Sequence, residues 1–327
     1  MNIENIFYLL GGIGLFILGI NLLTKSLENF SGSKLTQLIE KYTKNKYNCV
    51  LIGAAITAIV QSSSAITVII IGLVESGIMT LTQAVGIIMG ANIGTTITGI
   101  IISIRLEIFA PLIVFIGIII PYFIRNILVN RICKIISGFG ILFWGMGIMG
   151  SAVKPLSSSP IFITTISSLK SPMFGLLIGI IFTAIVQSSS VSTGIIEALA
   201  MAGLVTLDEA IFFIYGQNIG TCVTALLASF GTKKIISKQV AAVHFLFNII
   251  GTLIFVPITI MFPFTTLIKN IMVENAMTQI ALVHVIFNII TTIILLPFSE
   301  YLIKLSYRLV PKHKKNINRG VNHEIIY

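Results

Sequence analysis

The sequence predicts an all-α polytopic membrane protein. It is expected to comprise two inverted-topology repeats, each with a re-entrant helical hairpin tipped by Gln-Ser-Ser-Ser and a broken transmembrane helix carrying Gly-x-Asn-Ile-Gly-Thr. Three observations lead there. The chain is 56% hydrophobic and only 10% charged, with a mean hydropathy of +1.03, whereas soluble domains carry roughly 25% charged residues. Apolar runs of about 20 residues, enough to cross a bilayer as helices, recur along its length. They are continuous rather than alternating, which argues against a β-barrel. Finally, the chain overlays itself without a gap when Gln61 is set on Gln187, and residues 52–103 then match 178–229 at 26 of 52 positions.

The elements follow in order. Residues 6–27 form a first helix, preceded by an acidic Met-Asn-Ile-Glu-Asn start and followed by no small-residue cleavage site, so it is expected to be retained. The segments 48–75 and 174–202 each carry TAIVQSSS, at 57–64 and 183–190. They read as hairpins bending at that motif. Spanning helices are expected at 6–27, 80–104, 108–124, 132–152, 206–230, 239–262 and 279–305. The whole chain, 1–327, is one transmembrane domain. Repeat one covers about 6–129, repeat two about 132–255, a final helix region 256–305, and a basic cytoplasmic tail 306–327.

Seven crossings put the N-terminus outside and the C-terminus inside, with 17 of the 21 Lys and Arg residues on the inner side, as loop charge bias requires. A nine-crossing alternative, with both QSSS segments as full spans, scores the same. Equivalent loops separate the two readings. Residues 25–46 hold five lysines and their copy at 151–172 holds two; Arg105 stands alone, while the other copy has Lys233, Lys234 and Lys238. Opposite bias in equivalent loops favours an odd number of crossings per copy and therefore inversion. The net charge of +10 is this bias, and no nucleic-acid partner is expected. Three cysteines without close spacing suggest neither disulfides nor a metal site.

A bilayer interior tolerates a backbone break only where it lines protein or a watery cavity. Gln61, Ser62, Ser63 and Ser64, and again Gln187, Ser188, Ser189 and Ser190, would supply hydroxyls, amides and the free N–H groups of a helix start. That combination suits an anion. The two glycines and one Asn of 90–95 and 216–221 read as helix breaks, since Gly costs about 1 kcal/mol relative to Ala inside a helix. Freed carbonyls there would suit a small hard cation. No Lys or Arg lies in these motifs, so a bound anion needs a cation beside it. Glu197, in the apolar stretch after Ser190, is a further candidate cation ligand. Glu75, Asp208 and Glu209 sit at segment ends and read as interfacial. A serine nucleophile is disfavoured: no Gly-x-Ser-x-Gly elbow is present, and only His244 and His284 could serve as embedded bases. His244/Asn248 and His284/Asn288 repeat at four-residue spacing on one helix face and read as interhelical hydrogen-bonding pairs.

The doubled QSSS, each followed about 30 residues on by GxNIGT, resembles the type II sodium–phosphate cotransporters and their bacterial relatives, and the resemblance runs from about residue 10 to about 300. It implies sodium-driven movement of inorganic phosphate across the cell membrane by a transporter that is not an enzyme. The two QSSS bends would meet at the substrate. Gln61 to Ser64 and Gln187 to Ser190 would then bind phosphate, supported by Asn92 and Asn218. Sodium would be held among Gln61, Thr67, Thr95, Gln187, Ser192, Thr193, Thr221 and Glu197. Cys222 departs from the pattern, standing where copy one has Thr96. No cofactor is expected beyond the coupling sodium ions. The expected partners are phosphate, Na+ and the lipid bilayer, with homo-oligomerisation left open. Another tetrahedral anion, or export rather than import, is the alternative.

Overall fold

The computed structural model describes residues 3–31, 43, 45–232, 234–273 and 275–311. Lys34, Lys41, Lys44 and Lys233, and the tail cations Lys312, Lys314, Lys315 and Arg319, lie outside them. Fourteen α-helices and no strand occur among the described residues. They are α1 (Ile3–Ser31), α2 (Lys46–Val60), α3 (Ser63–Glu75), α4 (Leu81–Ile102), α5 (Ala110–Phe123), α6 (Ile127–Val153), α7 (Pro160–Ser168), α8 (Pro172–Val186), α9 (Ser189–Met201), α10 (Leu207–Phe230), α11 (Ile235–Met261), α12 (Phe264–Ile271), α13 (Ala276–Leu295) and α14 (Ser299–Leu309). Six of them, α1, α4, α6, α10, α11 and α13, are long and apolar enough to cross a membrane. Large apolar side chains such as Phe115, Ile118 and Ile185 face outward. A bilayer accommodates these faces and water does not.

Helix packing is set by glycines at which two backbones meet. A Cβ on Gly19 would lie 2.3 Å from Leu142 N, and one on Gly145 would lie 2.5 Å from Phe16 N and 2.7 Å from Gly12 O. Contacts that rise along α1 therefore fall along α6, and the two helices run antiparallel. The other glycine contacts run the opposite way. Gly86 meets Lys46 and Cys49, Gly90 meets Val50, and Gly94 meets Ala54 and Thr57, so α2 and α4 are parallel. Gly216 on Leu176 and Gly220 on Ile180 make α8 and α10 parallel in the same manner. Because α3 reaches α4 through a five-residue turn, its end must lie where α2 begins. The chain therefore doubles back between α2 and α3, and by the same reasoning between α8 and α9.

Three sequence expectations need correction. The helices through GxNIGT are not broken: α4 and α10 run without interruption across 90–95 and 216–221. Glycine there serves close approach. Two glycines four apart lie on one helix face, and that face packs against the first hairpin helix in each copy, the small-residue packing familiar in membranes. No carbonyls are freed for a cation. The segment 108–124 becomes α5, 14 residues long and about 21 Å, shorter than the roughly 30 Å hydrocarbon core. The segment 279–305 is two helices, because the chain turns at Leu296–Phe298 around Pro297 before α14 starts.

Charged residues at segment ends find partners outside the apolar core. Lys170 pairs with Glu209 at 3.0 Å and Lys269 with Asp208 at 2.6 Å. The hydrogen bond to Glu209 holds the Lys170 ammonium above the usual lysine range. Ser237 donates to the Glu75 carboxylate, and Lys234 Nζ donates to the Glu75 carbonyl at 2.7 Å.

Candidate functional site

Each TAIVQSSS stretch makes the same local structure. The first helix ends with its last N–H bond at the glutamine, Gln61 N to Thr57 O and Gln187 N to Thr183 O, both 2.7 Å. Each glutamine then takes a left-handed conformation, φ 59° at Gln61 and 57° at Gln187; no other non-glycine residue among those described has positive φ. A non-glycine side chain in that region is strained, and two copies of the same strain mark a built feature. The next serine caps the returning helix. Ser62 Oγ accepts from Ala65 N at 3.2 Å, and Ser188 Oγ accepts from Val191 N at 3.3 Å. With Ala65 N and Val191 N taken by these caps, the N–H groups of Ser63 and Ser64 in α3, and of Ser189 and Ser190 in α9, have no acceptor inside their helices.

The two bends meet. They line one cavity of about 180 Å³, walled by Gln61 to Ser64, Gln187 to Ser190, Thr95, and Ile20, Asn21 and Thr24 of α1. Among the described residues, no Lys, Arg, Asp or Glu stands on this wall. A relay ties the bends together: Ser190 Oγ donates to Thr98 Oγ1 at 3.2 Å, and Thr98 Oγ1 donates to Gln61 Oε1 at 2.6 Å. Beside it, Thr95 Oγ1 lies 3.3 Å from Ser189 Oγ. Helix α4 of copy one thus carries two hydroxyls to the bend of copy two. A larger cavity of about 700 Å³ lies elsewhere, against Tyr8, Glu107, Trp144 and Lys154. None of the repeated motifs reaches it, so the smaller cavity is the candidate site.

The other expected residues stand off the wall. Thr67 Oγ1 donates to Ser63 O, Thr221 Oγ1 to Gln217 O and Ser192 Oγ to Ser188 O. Asn92 and Asn218 donate to Ile88 O and Ile214 O. Asn218 Oδ1 is also reached by His284 Nε2 and Asn288 Nδ2, each at 3.2 Å, and Asn248 Nδ2 donates to Cys222 Sγ. His284, Asn288 and Asn248 therefore join helices through their side chains, and His244 through its carbonyl, which accepts from Cys222 Sγ at 3.6 Å. Thr193 Oγ1 accepts from Gln217 Nε2 at 2.7 Å, and Glu197 is fully buried on α9.

Sequence reasoning passed over Asn21, Thr24 and Thr98. A signal for Thr98 was present, since it repeats as Thr224 at the same offset. Asn21 and Thr24 have no repeat signal, because copy two has Gly147 and Gly150 there. Their only mark is polarity inside an apolar helix.

Comparison with known proteins fits this arrangement. The model of the Na+/Pi-cotransporter family matches residues 15–151 and 159–292. The YqeW protein of Bacillus subtilis (strain 168), which is uncharacterised, is 31% identical over 243 residues, 74% of this chain and 78% of its own. YjbB of Salmonella typhimurium, provisionally named an inorganic phosphate export protein, is 26% identical over 76% of this chain; the chain spans 46% of YjbB. Human sodium-dependent phosphate transport protein 2B is 33% identical over 119 residues, 35% of this chain and 17% of its own. No solved structure matches. With six helices able to span a bilayer and the family model covering both repeats, this chain is a multi-pass membrane protein of the Na+/Pi-cotransporter family, a transporter rather than an enzyme.

Proposed function

We propose that this protein couples movement of inorganic phosphate across the cell membrane to sodium, binding phosphate between the two QSSS bends. The observation that carries the reading is the meeting of two identical, strained bends across one uncharged cavity. Phosphate there would accept from the N–H groups opening α3 and α9, from the serine hydroxyls, and from the Gln61 and Gln187 amides. With no basic side chain on the wall, cations must balance the anion, and each helix start supplies only about half a positive charge. Thr67 and Thr221 donate their hydroxyl hydrogens to backbone carbonyls, which leaves their oxygen lone pairs free for sodium; Ser192 Oγ donates to Ser188 O and also accepts from Thr183 Oγ1 at 2.9 Å, which leaves it one lone pair. Gln61, Gln187, Thr95, Thr193 and Glu197 complete the proposed set, and Asn92 and Asn218 brace the helices behind the bends.

The same packing supports inverted repeats with re-entrant hairpins. α1 and α6 are equivalent helices, and they meet antiparallel through equivalent residues: Gly12 against Gly145, Gly19 against Gly138. On this reading the copies run in opposite directions through the bilayer, and the hairpins enter from opposite leaflets. Helices α2, α3, α8 and α9 have 13 to 15 residues each, about 20 Å, the length of a partial crossing. Alternating exposure of a site between inverted halves is the transport mode such repeats provide. With α5 counted as the seventh crossing, the loop charges favour an N-terminus outside and a C-terminus in the cytoplasm. A coupled carrier runs in whichever direction its gradients drive it. That accommodates both the phosphate-export name of YjbB and the sodium-dependent name of the human relative.

Phosphate uptake into proteoliposomes tests the reading. An inward sodium gradient is expected to raise initial uptake at least tenfold over choline. Uptake indifferent to sodium would refute coupling, and sulfate competing equally would refute phosphate as the preferred anion.

A further inference from the structure

Glu197 is fully buried, and neither of its carboxylate oxygens has a hydrogen-bond partner. It belongs to neither ion pair found among the described residues. A buried carboxylate with no counter-charge is strongly disfavoured inside a membrane unless something compensates it. Its surroundings are small and oxygen-rich. A Cβ on Gly99 of α4 would lie 3.2 Å from Glu197 Oε1 and 3.1 Å from the Thr193 methyl, with Ala281 of α13 next at 3.7 Å. Glycine at 99 therefore leaves the room the carboxylate uses. Thr193, one turn before Glu197, is held by the Gln217 amide nitrogen at 2.7 Å. The other end of that amide, Gln217 Oε1, is also buried and unpartnered. Gln217 is itself 0% exposed. Two carboxylate oxygens and an amide oxygen thus keep free lone pairs around one threonine.

The arrangement belongs to copy two alone. At the equivalent positions copy one has Ile71 for Glu197 and Ala91 for Gln217, with Thr67 for Thr193. The duplication supplied the threonine to both halves; the charge and the amide are in one. None of these three residues is on the wall of the phosphate cavity.

We infer that Glu197, Gln217 and Thr193 form a monovalent-cation site of the sodium class, separate from the phosphate cavity and present in the second repeat only. The inference rests on the cation-coupled reading above and assigns one full coupling charge to one half of a pseudo-symmetric molecule. Hard oxygen donors with a single negative charge suit sodium, which would leave the site neutral when filled.

The test is thermal unfolding of the purified full-length protein as NaCl replaces choline chloride, without phosphate. Wild type is expected to show a saturable rise in unfolding midpoint with sodium. Glu197→Gln keeps the shape and removes the charge, and is expected to raise the half-saturating sodium concentration at least tenfold. Gln217→Leu, which removes only the amide, is expected to raise it about threefold, and it serves if Glu197→Gln does not fold. Ser63→Ala and Ser189→Ala are expected to keep the wild-type sodium response while losing phosphate binding. A wild-type sodium response in both Glu197→Gln and Gln217→Leu would overturn the site, and so would no response in wild type. Neither outcome touches the transport reading, which stands or falls with uptake in proteoliposomes.

Discussion

The two repeats agree where they bend and differ in what surrounds the bend. QSSS, the left-handed glutamine, the serine cap and the paired glycines occur in both copies with nearly the same dimensions. Around them the copies diverge. In copy two, Asn218 and Cys222 of α10 are gripped by His284, Asn288 and Asn248. Among the described residues, the hydrogen bond of Asn92 of α4 stays within its own helix. Copy one instead gives the cavity Asn21, Thr24 and Thr95, while copy two has glycine at the first two positions. Buried polar groups in a membrane are costly to leave unpaired, so each such difference needs a local reason. A symmetric pair of bends suits a tetrahedral anion approached from two sides. The asymmetric surroundings suit tasks that one half performs: holding a cation, or anchoring one helix against α11 and α13.

Substitutions at equivalent positions can break or sharpen this comparison. The largest effect is expected at the glycines that both copies share. A Cβ at Gly90 would lie 2.0 Å from Val50 O, and one at Gly216 would lie 2.2 Å from Leu176 O. Gly90→Leu and Gly216→Leu should each destabilise by about 3 kcal/mol or more, whereas Gly14→Ala, with no atom within 4 Å, should be neutral. Thermal unfolding in detergent would show it, and equal tolerance at all three sites would discredit the packing explanation of GxNIGT. Next comes the relay. Thr98→Val cuts Ser190 from Gln61, while the equivalent Thr224 donates only to Thr221 O. Thr98→Val should weaken phosphate binding about tenfold, about 1.4 kcal/mol, and Thr224→Val less than twofold. Equal losses would mean the relay is not special. The smallest effect is expected at the grip on α10. A double-mutant cycle between Asn218 and Asn288 should give a coupling of about 0.6 kcal/mol, typical of hydrogen bonds between membrane helices. The same cycle between Asn92 and Asn288 should give none.

Much of this was legible in the sequence, for identifiable reasons. The duplication, the two bends and their polar character follow from TAIVQSSS returning at a constant offset in an apolar chain. The helix direction at QSSS was also readable, because Ser is a strong N-cap and a bilayer core permits few other uses for three serines. The GxNIGT motif misled, since glycine both loosens a helix and lets two helices touch. Only the spacing of Gly90 and Gly94 relative to α2 decides between those effects, and that spacing is tertiary. Residues 108–124 give a shorter helix than their hydropathy suggested, because it stops at Phe123, close after Pro121. Asn21 and Thr24 escaped notice because internal repetition was the guide, and these positions are where the repeats differ.

The central claim is that one phosphate is held by both bends at once. Equilibrium binding of radiolabelled phosphate to purified protein in saturating sodium, comparing wild type with Ser63→Ala and Ser189→Ala, tests it most directly. The account predicts one phosphate per chain in wild type and a loss of affinity of at least tenfold in each variant. Two phosphates per chain, or a loss confined to one variant, would contradict it.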